Sequence, residues 1–232
     1  MRSSKWHALG NTYLLVTGGE LTPERAADLA RETDGVVEVL RAEDAEAEVA
    51  IWNPDGSQAE LSGNGVRIAA RWLADETGAE VVRIHVGPRE VVARMLGGPE
   101  VETDMGRVVV SPPELVDGVE LIPVDVGNPH AVILGDPSDV ITLGPRLEIH
   151  PRFPSRTNVQ VARVDAPGQV TARVWERGVG ETSASGTSAV AVAAATHGEG
   201  EVVVSFPGGD LAVRLAGGRA TLVGPAERVL DP

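Results

Sequence analysis

The sequence predicts an α+β fold built as two pseudo-symmetric halves, each a curled, barrel-like and mostly antiparallel sheet around one central helix. Three observations carry that prediction. Two stretches copy one another: Asn53-Pro-Asp-Gly-Ser-Gln-Ala-Glu-Leu-Ser62-Gly-Asn-Gly and Glu176-Arg-Gly-Val-Gly-Glu-Thr-Ser-Ala-Ser185-Gly-Thr-Ser each set a polar anchor nine positions before a Ser-Gly pair. The two Ser-Gly pairs lie 123 positions apart, about half of the 232 residues, and each opens an Ala/Val/Ile-rich run of helical composition. Around both runs, short apolar segments alternate with Gly and Pro, as in an antiparallel sheet.

Taken in order, Lys5 to Thr17 reads as two strands about a tight turn at Ala8-Leu-Gly-Asn11. Thr22 as N-cap and Pro23 at the first helical position start a helix that runs to about Glu32, where Asp34-Gly35 stops it. Strands follow at 36–40 and 47–52, then the turn Asn53-Pro-Asp-Gly, the first repeat helix over 64–76, and strands at 81–86, 90–96, 100–104 and 107–110. Ser111-Pro-Pro-Glu-Leu115 reads as a linker, dividing the chain into 1–113 and 114–223. The second half gives strands at 121–126 and 131–134 around Gly127-Asn-Pro-His130, then 158–164, 169–175, 201–206, 211–215 and 220–223, with the second repeat helix over 186–197. Pro207-Gly-Gly-Asp210 is a hairpin turn. Leu143 to Ile149 reads as a short helix, against which Pro145, Pro151 and Pro154 argue.

Composition narrows the function. A net charge of −14 offers no counter-charge to nucleic acid or an anionic membrane. Lys5 is the only lysine, poorly placed to be the buried Schiff-base residue of a pyridoxal enzyme. With no cysteine there are no disulfides, thiolate metal sites or thiol nucleophiles. No set of His and carboxylates has metal spacing, and no cofactor is expected. His7, His85, His150 and His197 read as packing or solvated residues. The N-terminus lacks an apolar leader and no apolar run reaches the length of a membrane span, which leads to a cytoplasmic expectation.

A glycine-rich turn feeding a helix presents backbone N–H groups and partial positive charge, and so binds an anion. Either Ser-Gly start alone would read as an ordinary capped core helix. Two with the same spacing, packed face to face, would hold one small carboxylate with a side chain on each side of its α-carbon. That suits a two-base reaction, in which one group removes a proton and the other returns it.

These residues resemble the diaminopimelate epimerase family of pyridoxal-independent amino-acid epimerases. The resemblance runs from His7-Ala-Leu-Gly-Asn11 through Asn53, Ser62-Gly-Asn-Gly, Gly127-Asn-Pro-His130, Asn158-Val and Glu176-Arg177 to Glu181-Thr-Ser-Ala-Ser-Gly-Thr. It implies an active site in the cleft between the two halves, with residues of about 224–232 returning to the first. By the same resemblance the α-carboxylate lies on the N–H groups of Gly63, Asn64, Gly186 and Thr187. The second carboxylate would be bound by Asn53, Asn128, Asn158 and Arg177. Glu176 takes the α-ammonium, Asn11 lines the pocket, Glu38 falls near a family glutamine, and His130 with Glu176 tunes the acid/base pair. The implied partner is diaminopimelate, in lysine and peptidoglycan precursor synthesis, and the reading leaves room for a homodimer.

One departure bears on the chemistry. The family has cysteines where this chain has Ser62 and Ser185. A thiol titrates near 8.5, lower at a helix N-terminus, whereas a serine hydroxyl has no comparable titration. The expectation is a chain that binds the amino acid and hardly epimerises it, a Cys-to-Ser form more readily than a divergent member. Ala8 and Thr12 also depart, from a Gly and an Asp. Two other readings are a same-fold isomerase of the phenazine-biosynthesis type, which works without thiols, and a catalytically silent amino-acid-binding protein.

Overall fold

The computed structural model describes residues 1–229. They form two compact units, Met1–Asp104 together with the segment from Val223, and Met105–Leu222.

In the first unit β1 (Arg2–Ala8) and β2 (Asn11–Thr17) form a hairpin. Its two turn residues have positive φ, Leu9 at 51° and Gly10 at 82°, the geometry a two-residue hairpin requires. Helix α1 (Pro23–Leu29) starts with the Thr22 hydroxyl accepting from Arg25 N. β3 (Gly35–Glu43) runs parallel to β2 and antiparallel to β4 (Glu46–Trp52). Helix α2 (Gly63–Thr77) ends at Gly78, whose φ of 74° closes the helix in the left-handed conformation that glycine tolerates. β5 (Val81–Val86) then lies parallel to β4, with β6 (Arg89–Gly97) and β7 (Glu100–Arg107) continuing antiparallel.

The second unit repeats the plan. β8 (Val109–Val110) and β9 (Glu114–Val116) pair with β10 (Val119–Asp125), which forms a hairpin with β11 (Pro129–Leu134). Helix α3 (Val140–Glu148) precedes β12 (Asn158–Ala166), which is parallel to β11 and antiparallel to β13 (Gln169–Glu176). After β14 (Gly180–Thr182) comes α4 (Gly186–Thr196), then β15 (Gly200–Phe206) parallel to β13, β16 (Gly209–Ala216) and β17 (Arg219–Pro225). β18 (Glu227–Arg228) pairs with β1, and Val229 N donates to Lys5 O. The remainder of the returning 224–232 segment, positions 230–232, lies outside the described residues.

The strands form one mixed, curled and unclosed sheet, with a parallel step on either side of the hairpins β3–β4 and β12–β13. The repeat recurs in the register, since the first parallel pairs are Tyr13 with Gly35 and His130 with Asn158, although the β2/β11 members lie 117 positions apart and only the β3/β12 members keep the 123-residue offset. Helix α4 is buried on every side from Gly186 to Ala194, as its uniformly apolar composition demands. Each of its valines contributes roughly 1.5–3 kcal/mol by leaving water.

Three elements differ from expectation. The 100–104 and 107–110 strands are one strand to Arg107 and a two-residue remnant, Gly106 being accommodated at φ 78°. Part of the expected linker is strand β9. Helix α3 forms but starts three residues before the expected 143–149 span, and it holds Pro145 because the core contacts of Val140 and Leu147 outweigh one missing N–H while Ile141, four residues before the proline, is exposed.

Candidate active site

Ser62 is the N-cap of α2: its extended backbone turns the chain into the helix, and its Oγ accepts from Gly65 N at 3.1 Å. The first N–H groups of the helix, those of Gly63 and Asn64, point out of its positive end. Ser62 Oγ also meets the Tyr13 hydroxyl at 3.2 Å. One turn on, the wholly buried Arg67 donates from Nη2 to Asn64 Oδ1 at 2.8 Å and from Nε to Pro225 O at 3.4 Å. Burial pushes this guanidinium down to about 10, its charge being favoured by Tyr13 and Glu100 nearby.

Ser185 begins α4 in the same extended conformation but forms no capping bond with its side chain. The chain then presents Gly186 and Thr187, the equivalents of Gly63 and Asn64. On the neighbouring strands, Gln160 Nε2 donates to His130 Nδ1 (2.9 Å) and to Ser188 Oγ (2.9 Å). The ring proton is therefore on Nε2, which faces Asn128 Oδ1 at 2.9 Å. Burial pushes the imidazole down to about 3, and the Arg177 charge lowers it further, so His130 is neutral at ordinary pH.

Asn158 joins two of the predicted elements, since its Oδ1 accepts from Arg177 N (3.0 Å) and its Nδ2 donates to Pro129 O (2.9 Å). Arg177 Nη1 donates to Ser155 O at 3.1 Å. Glu176 accepts from the Thr182 hydroxyl at 2.6 Å, so the two expected tuning residues, His130 and Glu176, are engaged by different neighbours. In the first unit, Asn11 is buried at the head of β2 and Asn53 Nδ2 donates to Ser57 Oγ at 3.0 Å. Glu38 faces the core, where Oε1 accepts from Leu21 N (2.7 Å) and Oε2 from Trp52 Nε1 (2.8 Å). Both oxygens tie structural elements together.

Tyr13, Arg67, Gln160 and Ser188 went unremarked in the sequence. Gln160 had a signal, being an amide within the apolar strand Asn158-Val-Gln-Val-Ala, on the same face as Asn158. The others are recognisable only once strand and helix are packed. A surface groove of about 610 Å³ is lined by Arg41, Glu43, Asp44, Glu46, Glu48 and His85, none of them a candidate. Among the described residues no His/Asp/Glu group converges as a metal site, and no helix is long and apolar enough to cross a membrane.

The model of the diaminopimelate epimerase family matches residues 122–229. A diaminopimelate epimerase of Desulforudis audaxviator is 37% identical over 275 aligned positions that cover 100% of this chain and 98% of the relative. The chain belongs to the diaminopimelate epimerase family. A second member, from Carboxydothermus hydrogenoformans, is 34% identical and covers 99% of this chain and 97% of its own. Among solved structures, a Pseudomonas aeruginosa protein described as a predicted epimerase superposes with a TM-score of 0.75 at 15% identity, covering 99% of this chain and 97% of that one, which speaks for the fold. Family membership makes the chain an isomerase by descent.

Proposed function

We propose that the protein binds diaminopimelate and presents it to a cofactor-independent two-base scaffold in which Ser62 and Ser185 take the places of the two thiols. The observation that carries this reading is the duplicated helix start: α2 and α4 both open on a Ser-Gly pair at an offset of 123. In this reading the α-carboxylate lies on the N–H groups of Gly63, Asn64, Gly186 and Thr187. Asn53, Asn128 and Arg177 bind the second carboxylate, and Asn158 orders that set by gripping the backbone of Arg177. Glu176 takes the α-ammonium and Asn11 closes the pocket.

Neutral His130 fits a role of orientation, aiming the Asn128 amide, with no proton of its own to give at pH 7. Because neither serine supplies a titrating thiol, the chain interconverts the L,L and meso forms slowly or not at all. The protein works without metal or cofactor, in the cytoplasm, and a homodimer is its proposed assembly. The Asn128/Asn158/Arg177 group favours a dicarboxylate over the substrates of a phenazine-type isomerase.

Calorimetric titration of the chain with each isomer tests the substrate. Binding is expected for both, and Arg177→Met should weaken it about 10- to 100-fold, the worth of a charge-assisted hydrogen bond. Failure of both isomers to bind at millimolar concentration contradicts the assignment.

A further inference from the structure

The Tyr13 hydroxyl, 3.2 Å from Ser62 Oγ, has no part in the reading above. Its position is built in. Tyr13 is almost buried, and its ring lies over Gly35, where a Cβ would come within 2.7 Å of Tyr13 Cε1. Any side chain at position 35 would drive the ring from its place beside Ser62. Arg67 interacts electrostatically with the same tyrosine, and its buried Nη1 has no hydrogen-bond partner. A buried guanidinium left partly unsatisfied is costly, and it favours negative charge on whatever lies next to it. The strand register also makes Tyr13 the counterpart of His130, since Tyr13 pairs with Gly35 as His130 pairs with Asn158.

We propose that Tyr13 is the proton acceptor behind Ser62, giving the α2 side a one-face exchange of the substrate α-hydrogen without inversion. The proposal rests on the substrate reading above. In the step, Ser62 Oγ takes the α-proton while the Tyr13 phenolate takes the hydroxyl proton of Ser62. The Cα–H bond breaks and leaves its electron pair on carbon; one O–H bond forms at Ser62 as the old one passes to Tyr13. Exchange of the phenol proton with solvent and reversal of the step return a solvent hydrogen to the same face. A phenol ordinarily titrates near 10 and a thiol near 8.5, so the phenolate is the stronger base and the scarcer one at neutral pH. In the second unit Ser185 forms no capping bond and His130 is held neutral by burial, so neither of these two supplies a titrating acid for an inversion.

The charged groups on the elements packed against Tyr13 can be named. Arg67 faces it from α2, with Glu100 of β7 acting on the same guanidinium. On β3, Glu38 is committed to Leu21 and Trp52; on β1, Lys5 and His7 pair with Leu14 and Thr12; Asp34 accepts from Thr12 N. The proposal assigns the pH dependence to Tyr13, with Arg67 beside it.

The test incubates the unaltered chain with L,L- and with meso-diaminopimelate in D₂O, following Cα–H loss by NMR, configuration by chiral chromatography and binding by calorimetry. One isomer is expected to take up deuterium with its configuration kept, at a rate rising about tenfold per pH unit from pH 7 to 9. Tyr13→Phe, which removes one hydroxyl, should lower that rate at least tenfold with affinity unchanged, and Ser62→Ala should lower it likewise. Exchange in Tyr13→Phe or Ser62→Ala as fast as in the unaltered chain overturns the relay, as does binding by the unaltered chain without exchange. Absence of binding by the unaltered chain overturns the substrate reading together with the relay.

Discussion

His130 Nε2 lies 2.9 Å from Asn128 Oδ1, both side chains buried, so a ring that could carry charge at pH 6 serves as a neutral donor that aims an amide. Burial holds its folded pKa at about 3, below the usual 6.5 of the unfolded chain. Between those values the unfolded state binds the extra proton, so this contribution is full above pH 6.5 and is lost as the pH falls toward 3. Lowering the pH from 7 to 5 should cost about 2 kcal/mol through this residue alone. Urea unfolding at the two pH values, compared with His130→Gln, measures the difference, and the His130 ring resonances should stay fixed between pH 8 and 5.

Each unit ties a tryptophan indole to a buried carboxylate, and the two tryptophans, Trp52 and Trp175, keep the 123-residue offset. Trp52 Nε1 donates to Glu38 at 2.8 Å and Trp175 Nε1 to Glu148 at 2.7 Å. Burial opposes ionisation of Glu148, but hydrogen bonds from Arg156, Trp175 and Gly178 N outweigh it and hold the carboxyl below its usual range. Glu38→Gln turns an amide NH₂ toward one of two N–H donors and should cost about 1–3 kcal/mol in chemical denaturation. If Glu38 bound substrate instead, the same change would leave stability alone and weaken binding.

The two helix starts differ energetically. Ser62 caps Gly65 N and Ser185 caps nothing with its hydroxyl. Ser62→Ala is expected to destabilise by about 1 kcal/mol and Ser185→Ala by less than about 0.5 kcal/mol. Equal losses in thermal unfolding would argue against the asymmetry.

Features written in short-range rules were legible in the sequence. The Ser-Gly starts, the Thr22-Pro23 cap and the glycine turns depend on a few adjacent residues, and the repeat spacing brought α2 and α4 out together. Helix α3 was obscured because Pro145 is a local veto that burial of Leu147 among Phe153, Val159 and Val161 overrides. Glu38 falls only near a family glutamine by resemblance, and its two oxygens are committed to Leu21 and Trp52, partners 17 and 14 positions away. Tyr13 and Arg67 offered no pattern at all, since one touches Ser62 across 49 positions and the other Pro225 across 158.

The proposed function requires a side chain at position 62 and one at position 185 to act on the same substrate carbon. Restoring both thiols tests it most directly: the Ser62→Cys/Ser185→Cys variant, incubated with L,L-diaminopimelate in D₂O, should produce meso product carrying deuterium at the inverted carbon, with neither single variant doing so. A double variant that binds the amino acid and leaves its configuration untouched would contradict the account.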